Sequence, residues 1–289
     1  MALFRRQTTG SVVCPSCGRL VGVKDERCWS CGRAHPGLLG FTPLLRRLGE
    51  DLGFSKLVVG GSAALYLLML VTDPDGVQTA IGFSLLGPSQ DNIFLFGASG
   101  AVPVLGYGRW WSVLSAGWLH GGLLHIGFNM MWAWQLVPAV VRLYGAGRTT
   151  ILYVVASVTG FAVTTLAYLL PIRIPFLEPA RMTLGASAAI LGLLGALVWY
   201  GRRAGSSVVG QQALGYAVAL IVFGFVMRGV DNWAHLGGFA GGWLMARWLD
   251  PLRPERPDHV VWALLLLLLS GAAIVASVVH GWSILRGGL

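Results

Sequence analysis

Six polar side chains stand in stretches that otherwise carry no charge and are rich in aliphatic residues: His120, His125, Asn129, Ser187, Asn232 and His235. Such groups are costly at apolar depth unless they are paired or face a cavity, so in a hydrophobic chain they are the first place to look for chemistry. His125 and Asn129 are four apart and share one helical face, with His120 about one turn before them. This is not the spacing of a helical zinc protease, which needs two histidines four apart with a glutamate between them. A polar contact between helices is the plain alternative for any one of these residues. Three at this spacing favour a common purpose.

Ser187 follows Thr183-Leu-Gly185-Ala186 and opens an apolar run. Gly185 permits a sharp turn into a helix, and a serine at a helix N-terminus sits where unpaired N–H groups and the macrodipole favour developing negative charge. A nucleophile suits that position. So does a small-residue packing face built from Ala188, Gly192 and Gly195, and this segment alone does not separate the two. His235 is the only ionisable residue between Asp231 and Arg247, and the glycines after it (Gly237, Gly238, Gly241, Gly242) imply very close approach of a partner helix. With Ser187 on that partner, His235 would form a Ser–His pair able to activate the hydroxyl.

These residues need elements to hold them. Seven stretches lack Asp, Glu, Lys and Arg: 57–72, 110–141, 149–172, 182–201, 204–227, 232–246 and 259–285. A spanning helix needs about 20 apolar residues. Five stretches reach that length, and in the two short ones Lys56 and Arg247 are placed to snorkel. Seven spans are predicted. The uncharged segment 92–108 holds Gly97, Gly100, Pro103, Gly106 and Gly108, too much punctuation for a span, so 73–109 is read as one long loop lying partly in the interface.

Composition agrees. The 289 residues are 55% hydrophobic and 11% charged, with a mean hydropathy of +0.68. Soluble domains carry about 25% charged residues, so an ordinary cytosolic enzyme, a disordered chain and a coiled coil are excluded. The net charge of +9 would suggest nucleic acid in a soluble chain, but Asp25 and Glu26 interrupt the basic residues Arg19, Lys24, Arg27 and Arg33. With the N-terminus inside, the inner segments hold 16 of the 21 lysines and arginines, as the positive-inside rule prefers. No signal peptide is visible. An integral membrane protein of the plasma (inner) membrane is expected, N-terminus cytoplasmic and C-terminus outside.

The first residues form a separate unit. Cys14-Pro-Ser-Cys17-Gly and Cys28-Trp-Ser-Cys31-Gly use all four cysteines of the chain. Two C-x2-C turns supply four thiolates for a structural zinc, and four protein ligands leave no open position for substrate. Two disulfides or a redox module are the alternatives, disfavoured in a reducing compartment. Gly18 and Gly32 follow the second cysteine of each pair, where a tight turn can require positive φ. Thr42-Pro43 then reads as the start of a short amphipathic helix or a simple linker helix. The expected organisation is a zinc ribbon over 1–40, a linker over 41–55, a six-helix core over 56–250, and an inner loop plus seventh helix over 251–289.

Taken in order, His120…His125…Asn129, Gly185-Ala186-Ser187 and Ala234-His235…Gly238 resemble the motifs of the rhomboid family of intramembrane serine proteases, over about 55–250. The resemblance implies an all-α polytopic membrane protein with a six-helix rhomboid-like core, here extended by a seventh helix and preceded by the four-cysteine ribbon. It implies Ser187 as nucleophile and His235 as general base and acid. His125, Asn129 and the Ser187 N–H would bind the oxyanion, with His120 and Gly185 supporting. No cofactor is implied for catalysis. Three departures stand out: Ala188 where the family most often has Gly, Leu191 where many relatives carry an aromatic, and Trp111-Ser112, with Arg109 two residues before Trp111, where relatives have Trp-Arg. Gly97-Ala98-Ser99-Gly100 matches the nucleophile motif letter for letter, but lies inside the first loop and is read as coincidence.

The expected function is therefore an intramembrane serine endopeptidase acting on transmembrane segments, reached by water through a cavity lined by His120, His125 and Asn129. Its partners would be transmembrane substrates, the lipid bilayer and an unassigned partner of the ribbon, with no nucleic acid. The rival is a non-proteolytic rhomboid-like protein that binds membrane clients. A transporter with a histidine proton relay is the third class, and the two halves of the chain lack the repeat such folds often show.

Overall fold

The computed structural model describes residues 6–15, 17–41, 49–79, 84–171, 174, 177–227 and 229–287. Two strands, β1 (Ser11–Val13) and β2 (Leu20–Gly22), pair antiparallel in an N-terminal hairpin. Among the described residues seven long helices follow: α1 (Phe54–Thr72), α2 (Leu123–Tyr144), α3 (Ala146–Ala167), α4 (Ser187–Ala204), α5 (Ser207–Val226), α6 (Asn232–Trp248) and α7 (Pro257–Gly287). The helix expected from Thr42 onward lies outside the described residues.

The seven helices fall on the seven charge-free stretches. Among the described residues α1, α3, α5 and α7 are long and apolar enough to cross a membrane by length and composition. The other three carry the residues of interest: α2 holds His125 and Asn129, α4 opens on Ser187 and ends in Arg202 and Arg203, and α6, with His235, is 17 residues long.

Two expectations about the first loop change. The second long helix starts at Leu123 rather than near 110, so His120 precedes it. The interruption is Gly121-Gly122, with Gly122 fully extended, and glycine is a poor helix former. Lack of charge cannot distinguish coil from helix, which is why the run looked continuous. The loop itself is partly helical: Gln90–Phe96 is capped by the Ser89 hydroxyl accepting from the Asn92 N–H and is ended by Gly97 at φ 108°.

At the centre, α4 is buried on nearly all sides among α3, α5 and α6. Helices α4 and α6 meet backbone to backbone. A Cβ on Gly238 would collide with the Ala188 carbonyl, and one on Gly242 with the Gly192 carbonyl. At one end of the bundle Arg148 is buried and donates to the carbonyls of Asp250 and Arg253 at 2.6 and 2.9 Å, while its N–H donates to Glu255 at 2.8 Å. Burial pushes the Glu255 carboxyl above its usual range, opposed by the Arg148 N–H and by the charges of Arg148 and of buried Arg33 in the N-terminal unit.

Candidate active site

Ser187 is the first residue of α4, reached through Gly185 at φ 125° and Ala186. As a first-turn residue it has an N–H without an intrahelical partner. Four residues upstream, Thr183 exchanges both backbone hydrogen bonds with Ser99, at 2.8 and 2.9 Å, and the Gly185 N–H donates to the Ala116 carbonyl at 3.0 Å. The turn before the serine is thus held from two sides.

His125 lies against that turn. A Cβ on Gly185 would sit 2.7 Å from His125 Nε2, so only glycine leaves room. The Gly121 N–H donates to His125 Nδ1 at 3.3 Å. A neutral imidazole that accepts at Nδ1 carries its proton on Nε2. The fold therefore sets a donor facing the backbone two residues before Ser187. Asn129, buried one turn further along α2, donates one amide proton to the His125 carbonyl at 2.9 Å and keeps a second.

His235 is buried on α6, and its Nδ1 has no hydrogen-bond partner among the described residues. The α6 N-terminus is fixed by Asp231, which accepts from the Ala234 N–H at 3.0 Å and from the Thr164 hydroxyl at 3.1 Å. Ser187, His125, Asn129, Asn232 and His235 all line one cavity of about 1300 Å³. Its far wall includes Phe128 and Met131 of α2 and Tyr216 and Phe223 of α5, which are also exposed on the lipid-facing surface. The cavity thus reaches the side of the bundle between α2 and α5. Trp132 and Tyr216 bridge that flank edge to face at 5.3 Å.

His120 does not line the cavity, contrary to expectation. It is fully buried behind His125, rings edge to face at 5.1 Å. Its place before α2, not on it, puts it behind the wall.

A family model described as the rhomboid domain matches residues 107–250. The chain belongs to the rhomboid family. It is similar to Rhomboid protease GluP of Bacillus subtilis (strain 168), 31% identical over 55% of this chain and 29% of that protein. It is also similar to RHOMBOID-like protein 4 of Arabidopsis thaliana, 30% identical over 66% of this chain and 51% of that one. Rhomboid-like protease 5 of Toxoplasma gondii is 32% identical over 51% of this chain and 17% of that one. The chain thus spans about half or less of the length of these relatives.

The departures from the rhomboid pattern have local answers. The Ala188 methyl is accommodated by Gly160 of α3, where a Cβ would come within 2.7 Å of it. Leu191 is fully buried and lines the cavity. Arg109, two residues before Trp111, is buried and donates to the Phe94 and Leu95 carbonyls at 2.7 and 3.3 Å. Ser99 of the look-alike motif is buried away from the cavity, accepts from Ser112 at 3.1 Å and pairs with Thr183. Sequence reasoning passed over Asp231, Thr183 and Tyr216. Asp231 carried a signal, since an aspartate three residues before an alanine at a helix start is a capping position. The other two carried none.

Packing of α6 on α4 yields a first prediction. Gly238→Ala places a methyl against backbone that has no room to yield, so α6 must shift. Cleavage of a membrane substrate is expected to fall about 100-fold, as a displacement near 1 Å can do, while far-ultraviolet circular dichroism is unchanged. Full activity would mean that α6 repacks without moving His235.

In the N-terminal unit the two cysteine turns have the same design. Gly18 and Gly32 donate back to the Cys14 and Cys28 carbonyls at 3.0 and 2.9 Å, and both have positive φ, 72° and 73°. All four sulfurs lie within 4.8 Å of one another, with Cys14–Cys31 at 3.8 Å and Cys17–Cys28 at 3.6 Å. Those are not disulfide lengths. They match the edge of a tetrahedron with zinc–sulfur bonds of about 2.3 Å, so the residues fit a metal. The Cys31 backbone N–H holds the Cys28 thiol down at about 7, while burial pushes Cys31 up to about 12. Only a cation among them lets all four ionise together. We expect one zinc per chain by plasma mass spectrometry, and less than a tenth of that in Cys28→Ser/Cys31→Ser, since metal supplies roughly 10–16 kcal/mol to folding of such a unit.

Proposed function

We propose that this chain is an intramembrane serine endopeptidase that cuts transmembrane segments of membrane proteins. One observation carries the reading: a serine at a helix N-terminus, a histidine on the facing helix, the His125 imidazole and the buried Asn129 amide converge on one cavity that opens between α2 and α5. Ser187 Oγ attacks the scissile carbonyl while His235 takes its proton. The tetrahedral oxyanion is met by the Ser187 N–H, His125 Nε2–H and the spare Asn129 amide proton. His235 then protonates the leaving amine. Water, activated by the same imidazole, hydrolyses the acyl-enzyme. An unwound stretch of a substrate helix fits the passage past Tyr216 and Phe223. The ribbon and the 249–256 turn lie on the cytoplasmic side, and the site near the outer face.

The test is covalent. Protein in liposomes is treated with a fluorophosphonate, digested, and the adduct located by mass spectrometry. The reading expects one adduct per chain, at Ser187, and the same in Ser99→Ala. An adduct at Ser99 would take the nucleophile from Ser187 to the first loop, and no adduct together with no cleavage of a transmembrane reporter would move the chain to the client-binding class.

A further inference from the structure

The mechanism above leaves the seventh helix without a task, yet its buried face is made of small residues and carries two serines. Ala263, Ser270, Ala273, Ser277 and Gly281 recur at helical spacing, and the first four are buried. Ser277 has no exposure at all. A fully buried serine on a helix that otherwise faces lipid must be matched to something.

What it meets is the first loop. Arg109 is completely buried, and its planar guanidinium donates at once to the Phe94, Leu95 and Ser277 carbonyls, the last at 2.9 Å. Its Cζ also lies 4.2 Å above the Phe94 ring. The Phe94 and Leu95 carbonyls end the short helix Gln90–Phe96, where a cation meets the negative end of the dipole, the Phe94 carbonyl also accepting from the Gly97 N–H at 3.1 Å. Beside it, the Trp111 indole N–H donates to Ser277 Oγ at 3.1 Å, and its ring meets His280 edge to face at 5.4 Å. Position 97 takes only glycine here: φ is 108°, and a Cβ would collide with Ser115 Oγ and lie 2.6 Å from Ser277 Oγ. One turn on, Gly281 lets Leu95 approach, a Cβ there coming within 3.1 Å of the Leu95 Cα.

From this junction the path to the nucleophile is short. The Ser115 hydroxyl donates to the Gly97 carbonyl at 2.7 Å, and Ser112 donates to Ser99 at 3.1 Å. Ser99 and Thr183 pair through both backbone groups, and the Val102 N–H donates to the Arg181 carbonyl at 2.8 Å. Four residues after Thr183 stands Ser187. The Gly-Ala-Ser-Gly look-alike in the loop is the segment that bridges to the 183–187 turn.

We propose that α7 is a strut of the active site: Ser277 anchors Arg109 and Trp111, which hold the loop that fixes the 183–187 turn. Arg109, Trp111 and Ser277 are positioning residues, acting through the Ser99–Thr183 pair without touching substrate. Their catalytic effect rests on the protease reading, while the mechanical link does not.

The test therefore has two readouts. Backbone hydrogen exchange is followed in the peptides covering 97–102 and 180–187, and the rate constant for fluorophosphonate labelling is measured in parallel. Arg109→Lys keeps the charge but lacks the planar fork whose two NH2 groups reach the Phe94, Leu95 and Ser277 carbonyls together. Ser277→Ala is the mild variant and Ser277→Leu the disruptive one. Val279→Ala, on the lipid-facing side of α7, is the control. In Arg109→Lys and Ser277→Leu we expect faster exchange in both peptides, with labelling and kcat down about 10- to 100-fold and KM unchanged. Ser277→Ala should show the same pattern, smaller, at unchanged melting temperature. Unchanged exchange at 180–187 in both strong variants overturns the strut. Faster exchange with undiminished labelling overturns its role in positioning Ser187. If wild-type protein neither labels nor cleaves, the protease reading fails, and exchange alone still decides whether the strut exists.

Discussion

Ser187→Ala and His235→Ala are each expected to lower single-turnover cleavage of a transmembrane reporter by about 10⁶-fold, and the double variant by no more. The reason is that the two side chains act in one event. Without His235 the Ser187 hydroxyl keeps its proton and is a poor nucleophile. Without Ser187 the imidazole has nothing to activate. His235 Nδ1 has no partner among the described residues, so none of them orients the ring through that nitrogen; α6 itself must do so, through the Asp231 cap and the glycine contacts with α4. Residual activity is expected from the oxyanion donors alone. The measurement is a cleavage time course in liposomes at excess enzyme, with incorporation checked by gel. Losses that add in the double variant would mean the residues serve different steps, and the dyad would have to be given up.

The second large effect lies at the oxyanion. His125→Ala removes the Nε2–H donor and is expected to cost about 10²- to 10³-fold in kcat with little change in KM. Gly185→Ala should cost at least as much by a different route. Its methyl would lie 2.7 Å from His125 Nε2, and alanine at φ 125° is strained in itself. Because the two changes act on one contact, a cycle should couple them. The double variant Gly185→Ala/His125→Ala is expected to be no worse than Gly185→Ala alone, since removing the imidazole relieves the collision. Independent, additive losses would show that Gly185 serves only the turn geometry. Unchanged kcat in His125→Ala would remove His125 from the oxyanion site.

Much of this was readable before any coordinates. Charge-free runs located seven helices because the cost of burying a charge in lipid leaves a mark on composition. Cys14, Cys17, Cys28 and Cys31 announced a cluster able to hold a metal because tetrahedral thiolate geometry demands two short turns, and each turn here has its glycine. His125, Asn129, Ser187 and His235 stood out because polar groups are rare at apolar depth. In all three cases the physical constraint is local, or acts on each residue singly, so it is written along the chain.

The rest depended on which groups meet. The 110–122 run looked like helix, and only folding revealed that Gly121-Gly122 breaks it and drops His120 behind His125. The tautomer of His125 follows from a backbone N–H that comes to Nδ1 in the folded turn. Ser99 looked like a nucleophile by letters, and its pairing with Thr183 makes it a brace. Ser277 was one serine in an apolar run until Arg109, 168 residues away, was found on its carbonyl. Contacts of that range leave no periodicity and no spacing, because nothing in the local chain has to change to accommodate them. They arise only when seven helices close around one another, and it is that closure which gathers the serine, the histidines and the asparagine around a single cavity.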